Sequence, residues 1–109
     1  RNNWYPGQVI DDARYTVKDA SLLATRAKQA MFEYAPIRRA TRERYRVYRS
    51  CKVGPAVEIF VLDERTYRGA NGANRETTPG PATRMLGAEQ LQWLKISLAR
   101  SSAVWKVIA

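Results

Sequence analysis

Apolar positions along the chain fall into stretches of different period. From Asp19, the run DASLLATRAKQAMFEYAP places Leu23, Ala27, Ala30, Met31 and Tyr34 three or four residues apart, the spacing of one helix face. Asp19 can cap the start and Pro36 cannot continue the helix, so a helix is predicted that ends before Pro36. In RYRVYRS, residues Tyr45, Val47 and Arg49 alternate with Arg44, Arg46 and Tyr48, a period of two that predicts a strand. KVGP reads as a turn and AVEIFVLD as a second strand, and so short a connection implies an antiparallel hairpin. The unbroken Ile59, Phe60, Val61 and Leu62 predict burial on both faces, inside a sheet.

Periodicity then stops. From Gly69 to Arg84 the chain reads GANGANRETTPGPATR, a loop longer than most domains carry without a functional reason. A helical pattern resumes in LGAEQLQWLKISLARS, with Leu91, Leu94 and Leu98 on one face and Trp93 beside it, and AVWKVIA closes as a short strand. Strand, loop, helix and strand in that order predict a βαβ unit with parallel neighbouring strands and a right-handed crossover. The fold class is therefore α/β, a hairpin plus a βαβ unit with two main helices. The hairpin and one helix cover only part of such a sheet, so Val57–Leu62 and Val104–Ala109 are expected to be completed by further chain.

Composition narrows this picture. A chain of 109 residues with 45% apolar content suits one domain with one core. The formal charge of +9 favours anionic partners. No apolar run approaches the roughly 20 residues of a transmembrane helix. Histidine is absent and Cys51 stands alone, so most general-base and transition-metal chemistry cannot be assembled from these residues by themselves.

Candidate chemistry lies in a few places. IRRATRERYRVYRSCK holds six Arg and Lys52 against Glu43 alone. Arginines interleaved with Tyr45 and Tyr48 are what a single-stranded nucleic acid would use, through Arg44 and Arg46 for phosphates and the phenol rings for stacking. The competing reading, a solvated charged face, takes precedence. Asp63, Arg65 and Arg68 follow an apolar strand directly and precede the Gly-rich loop, where open α/β sheets hold ligands. The arginine forks suit phosphate or carboxylate; equally, Asp63 can pair with Arg65 or Arg68 and simply close the loop. Asn2 and Asn3, in a turn-forming opening with Pro6 and Gly7, can ligate a hard metal, donate to a phosphoryl oxygen or cap a turn. Cys51, in the turn region beside Lys52, lacks a general base.

Taken together, NNWYPG, AKQAMFEYAPIR, YRVYRS with the following GP, EIFVLDERTYRGANG and MLGAEQLQWLKISLARSSAVWKVIA resemble the PhoD-like alkaline phosphatases. The resemblance covers most of the chain and is weakest between Val9 and Ala27. It implies that residues 1–109 are the central segment of a metallophosphatase-type α/β sandwich, one partial domain with a mixed sheet. It also implies a metal-dependent phosphoesterase acting on phosphate mono- or diesters, with a calcium- and iron-type cluster. Most ligands of that cluster, including an Asp-His-Glu motif just before Arg1, are expected outside this segment. By the same resemblance, Arg65 and Asn3 are candidate catalytic residues, Asn2 and Asn3 candidate metal-facing residues, and Asp63 and Arg68 phosphate or structural support. The expected partners are a phosphate ester and the remainder of the catalytic domain, and the expected location is periplasmic or secreted. The isolated segment is expected to be inactive. Alternatives are a free-standing module that binds single-stranded nucleic acid through residues 44–49, and a domain that keeps the fold without activity.

Overall fold

A computed structural model describes residues 2–39, 43 and 45–109. Helix α1 spans Ala20–Tyr34, and the Asp19 carboxylate caps it by accepting from the amides of Ser21 at 2.8 Å and Leu22 at 3.3 Å, two of the donors that a helix start leaves without partners. It ends where expected, the Ala35 amide donating to the Met31 carbonyl one residue before Pro36.

Strand β1, Arg49–Val53, pairs antiparallel with β2, Val57–Val61, in the register Arg49↔Val61 to Val53↔Val57. Gly54 turns the chain between them at φ 64°, a conformation costly for a residue with a Cβ. Helix α2, Ala88–Arg100, returns the chain to β3, Trp105–Ile108, which lies parallel to β2. The sheet is mixed, in the order β1-β2-β3. Two helices and a three-stranded mixed sheet make the segment α/β, as the periodicity predicted. The loop from Gly69 to Arg84 carries one short 3₁₀ turn at Pro81–Thr83.

Four details differ from expectation. The first strand begins at Arg49 rather than Arg44. The Arg49 guanidinium takes the carbonyls of Val47, Arg46 and Arg38, each at 2.8 Å, so the backbone of residues 46 and 47 is committed before a ladder can form. Cys51 accordingly lies within β1, exposed and opposite Ile59, rather than in the turn. On β2 only Glu58 and Phe60 are buried while Val57, Ile59 and Val61 are half-buried, so one face is closed and the other partly covered. On α2 the buried positions are Gln90 and Leu94, with Leu91 exposed.

The core gathers where β2 meets α2. Phe60, fully buried, lies 6.4 Å from the Trp93 ring, and Tyr48 lies 5.0 Å from Trp93 and 5.7 Å from Tyr67. Burial of Phe60 and Tyr48 ties the hairpin to α2 at the end of β2 from which the Asp63 turn departs. Glu58 faces Lys52 on β1 and Lys106 on β3; a hydrogen bond from Ser101 is the main cause holding its carboxyl below the usual range, and the two lysines add to it against burial. At β3, Val104, Trp105 and Ile108 are exposed. No helix among the described residues is long and apolar enough to cross a membrane.

Candidate active site

The turn that follows β2 is organised around one buried carboxylate. Asp63 Oδ1 accepts from the amides of Arg65 at 3.1 Å and Thr66 at 2.9 Å, while Oδ2 accepts from the Thr66 hydroxyl at 2.6 Å and Lys28 Nζ at 3.0 Å. Such local bonds fold the backbone into a turn without help from the sheet. Its own backbone is held from α2, the Gln90 carboxamide accepting from the Asp63 amide at 2.7 Å and donating to the Asp63 carbonyl at 3.0 Å. Gly87 begins α2 at φ 74°, and a Cβ there would stand 2.9 Å from the Tyr67 Cβ, so turn and helix approach as closely as they do because that side chain is absent.

Of the two readings offered by the sequence, the ion pair between Asp63 and Arg65 or Arg68 does not form. Lys28, reaching across from α1, is the partner of Asp63, and both side chains are largely shielded from water. Burial raises the Asp63 pKa, but the Thr66 hydroxyl and amide together with Lys28 outweigh it and leave the carboxyl below its ordinary value. A depressed native pKa contributes stability that is fully present above the unfolded aspartate value of about 3.9 and is lost as pH falls through the lower native value. Thermal midpoints of the full-length protein are therefore expected to drop as pH is lowered from about 5 to 3, and to drop less in an Asp63→Asn variant. Equal acid sensitivity of the two proteins would contradict the role of Asp63.

With Asp63 occupied, the two arginine side chains turn elsewhere. Arg65 and Arg68 each donate through Nη1 to Asn3 Oδ1 at 2.8 Å. Arg68 Nη2 also donates to Asn71 Oδ1 at 2.6 Å, and Asn71 Nδ2 returns to the Asn3 carbonyl at 3.1 Å. Asn3 holds φ at 53°, a left-handed conformation that asparagine tolerates better than most residues. Among the described residues neither arginine has a carboxylate within ion-pair distance. Asn3, Glu64, Arg65, Arg68, Asn71 and Met85 line a cavity of about 330 Å³. Asn2 is exposed, and its Oδ1 accepts from the Asn3 amide. The structure thus brings together Asn3, Arg65 and Arg68, supported by Asp63, and adds Lys28, Asn71 and Gln90, which the sequence did not single out.

A larger cavity of about 620 Å³ lies beside the connection from α1 to β1. Of the four arginines that line it, Arg49 holds three backbone carbonyls and Arg39 that of Phe32, while Arg46 lies over the Tyr48 ring at 5.0 Å with its Nε buried and without a hydrogen-bond partner among the described residues.

A family model described as PhoD-like phosphatase matches residues 1–109. The chain belongs to the PhoD-like phosphatase family. Alkaline phosphatase D of Bacillus subtilis (strain 168) is 31% identical over an alignment that covers 92% of this chain and 19% of that relative. The chain therefore spans well under two thirds of the length of its relative. No solved structure matches.

Among the described residues of this PhoD-like segment, the surroundings of Asn3 Oδ1 do not fit a metal ion. Asn3 Oδ1 already accepts from two cationic guanidinium groups, so a further cation there would stand among like charges, and no group of three or more His, Cys, Asp or Glu side chains suited to a metal occurs among the described residues. The groups that converge there are donors, two guanidinium forks, with the Glu64 carboxylate also in the cavity lining. The nucleic-acid alternative gains nothing from the geometry: Tyr48 is buried against Trp93, Tyr45 packs on Phe32 at 6.0 Å, and Arg44 lies outside the described residues. The Tyr67 hydroxyl donates to the Glu43 carboxylate at 2.9 Å, and burial, then that carboxylate, push its pKa above the ordinary phenol range.

Proposed function

We propose that the protein containing this PhoD-like segment is a phosphoesterase and that Arg65 and Arg68 form a wall of its phosphate pocket. One observation carries the reading: two guanidinium groups with no carboxylate partner among the described residues converge on a single amide oxygen beside a cavity. Guanidinium forks match phosphoryl oxygens in shape and charge. Charge that grows on those oxygens during attack at phosphorus is stabilised best by donors already in place. Asn3 fixes both forks before substrate arrives, and Asp63 fixes the turn that carries them.

The finer parts of the proposal rest on the family resemblance: mono- or diester substrates, metal dependence with ligands outside these 109 residues, and a periplasmic or secreted location. The test uses the full-length protein with chromogenic phosphate mono- and diesters. Hydrolysis of at least one ester, abolished by a chelator, is expected; no turnover of either, or turnover indifferent to chelation, overturns the respective part. Arg65→Met is expected to lower kcat/KM by about tenfold to a hundredfold, the range for loss of one charge-assisted contact to the reacting group. Unchanged kcat/KM would remove Arg65 from the pocket.

A further inference from the structure

Asp63 begins the turn that carries Arg65 and Arg68, close enough along the chain for it to neutralise either one. Both of its oxygens are instead filled, and the charge that balances it comes from Lys28 on α1, 35 positions earlier in the chain. A buried carboxylate without a counter-ion recruits whatever cation can reach it, because leaving it bare costs several kcal/mol. Without Lys28, the nearest candidates along the chain are the arginines whose availability the pocket requires.

We infer that Lys28 is a positioning residue for the anion site: by satisfying Asp63 it leaves Arg65 and Arg68 without a carboxylate partner and directed at Asn3. The inference rests on the phosphate-pocket reading above and extends it to a side chain on a separate helix. Lys28 touches no ligand in this scheme. Its effect is exerted through the direction the two guanidinium groups take.

A double substitution separates this role from a merely structural one. In the full-length protein, with a chromogenic phosphate monoester as substrate and inorganic phosphate as competing ligand, Lys28→Met is expected to raise KM and the phosphate Ki together by about tenfold, the equivalent of roughly 1.4 kcal/mol. The kcat value changes less. Adding Asp63→Asn removes the unpaired charge while keeping an Oδ1 for the amides of Arg65 and Thr66, so K28M/D63N is expected to regain Ki to within about threefold of the parent. A K28M protein that folds with unchanged Ki, or a double variant no better than K28M, overturns the inference. Where K28M does not fold, K28M/D63N is compared with the parent alone: a Ki within about threefold supports the role and a larger one overturns it. Arg65→Met serves as the reference. If it raises Ki and K28M does not, Lys28 has no positioning role and the pocket stands; if it leaves Ki unchanged, pocket and positioning role fall together.

Discussion

Replacing Asp63 with alanine is expected to destabilise the full-length protein by about 3–5 kcal/mol and to abolish phosphate binding in whatever folded fraction remains. Four hydrogen bonds end on this carboxylate. Removing it leaves Lys28 as a shielded cation without a partner, and that penalty exceeds the value of the pair itself. The amides of Arg65 and Thr66 lose their acceptor at the same time, so the turn loses the bonds that define it. Denaturant midpoints compared with the parent at neutral pH measure the effect. A loss below about 1 kcal/mol, the scale of an ordinary exposed ion pair, would show that the hub is not buried as described.

Gln90→Leu should be nearly as damaging, at about 3–4 kcal/mol, although leucine has a similar volume and suits a helix well. Gln90 is 1% exposed, and its carboxamide serves both polar groups of the Asp63 backbone while donating to the Leu86 carbonyl at 2.8 Å. Leucine offers none of these bonds, so a buried amide and two carbonyls would be left unpaired, each costing about 1–3 kcal/mol before relaxation or water entry lowers the sum. Thermal or denaturant midpoints test this directly. A Q90L protein as stable as its parent would mean that water replaces the carboxamide, and that α2 does not fix the turn.

The elements most legible in the sequence were those whose ends carry chemical punctuation. Asp19 and Pro36 bracketed α1, and the Val-Gly-Pro turn with the apolar run after it fixed the hairpin, because caps and turns act within a few residues. The start of β1 was misplaced because alternation cannot show that the Arg49 side chain claims the carbonyls preceding it. The burial of Gln90 instead of Leu91 was hidden for a related reason: a helical pattern ranks positions by hydropathy, and Gln90 is buried for the bonds it makes to another element. At the site, Asp63, Arg65 and Arg68 were visible as polar residues at the end of an apolar strand, and Asn3 as a short amide in a turn-forming opening, strengthened by resemblance to the PhoD-like phosphatases. Lys28 and Asn71 carried no such signal. Lys28 resembles any solvated lysine on a helix until α1 is seen beside the Asp63 turn.

Asn3 meets Arg65 and Arg68 across separations of 62 and 65 residues. Those contacts do not close so long a loop by themselves: the Gly7 amide donates to Ser21 Oγ at 2.9 Å, Val9 bridges to Asp19, and Lys28 on the same helix reaches Asp63. Helix α1 thus carries both connections, the Asn3 turn at its start and Lys28 along its length. Any shift of α1 along the sheet would therefore move Asn3 and the Asp63 turn together, so the alignment of Asn3 with Arg65 and Arg68 depends on how that one helix is seated.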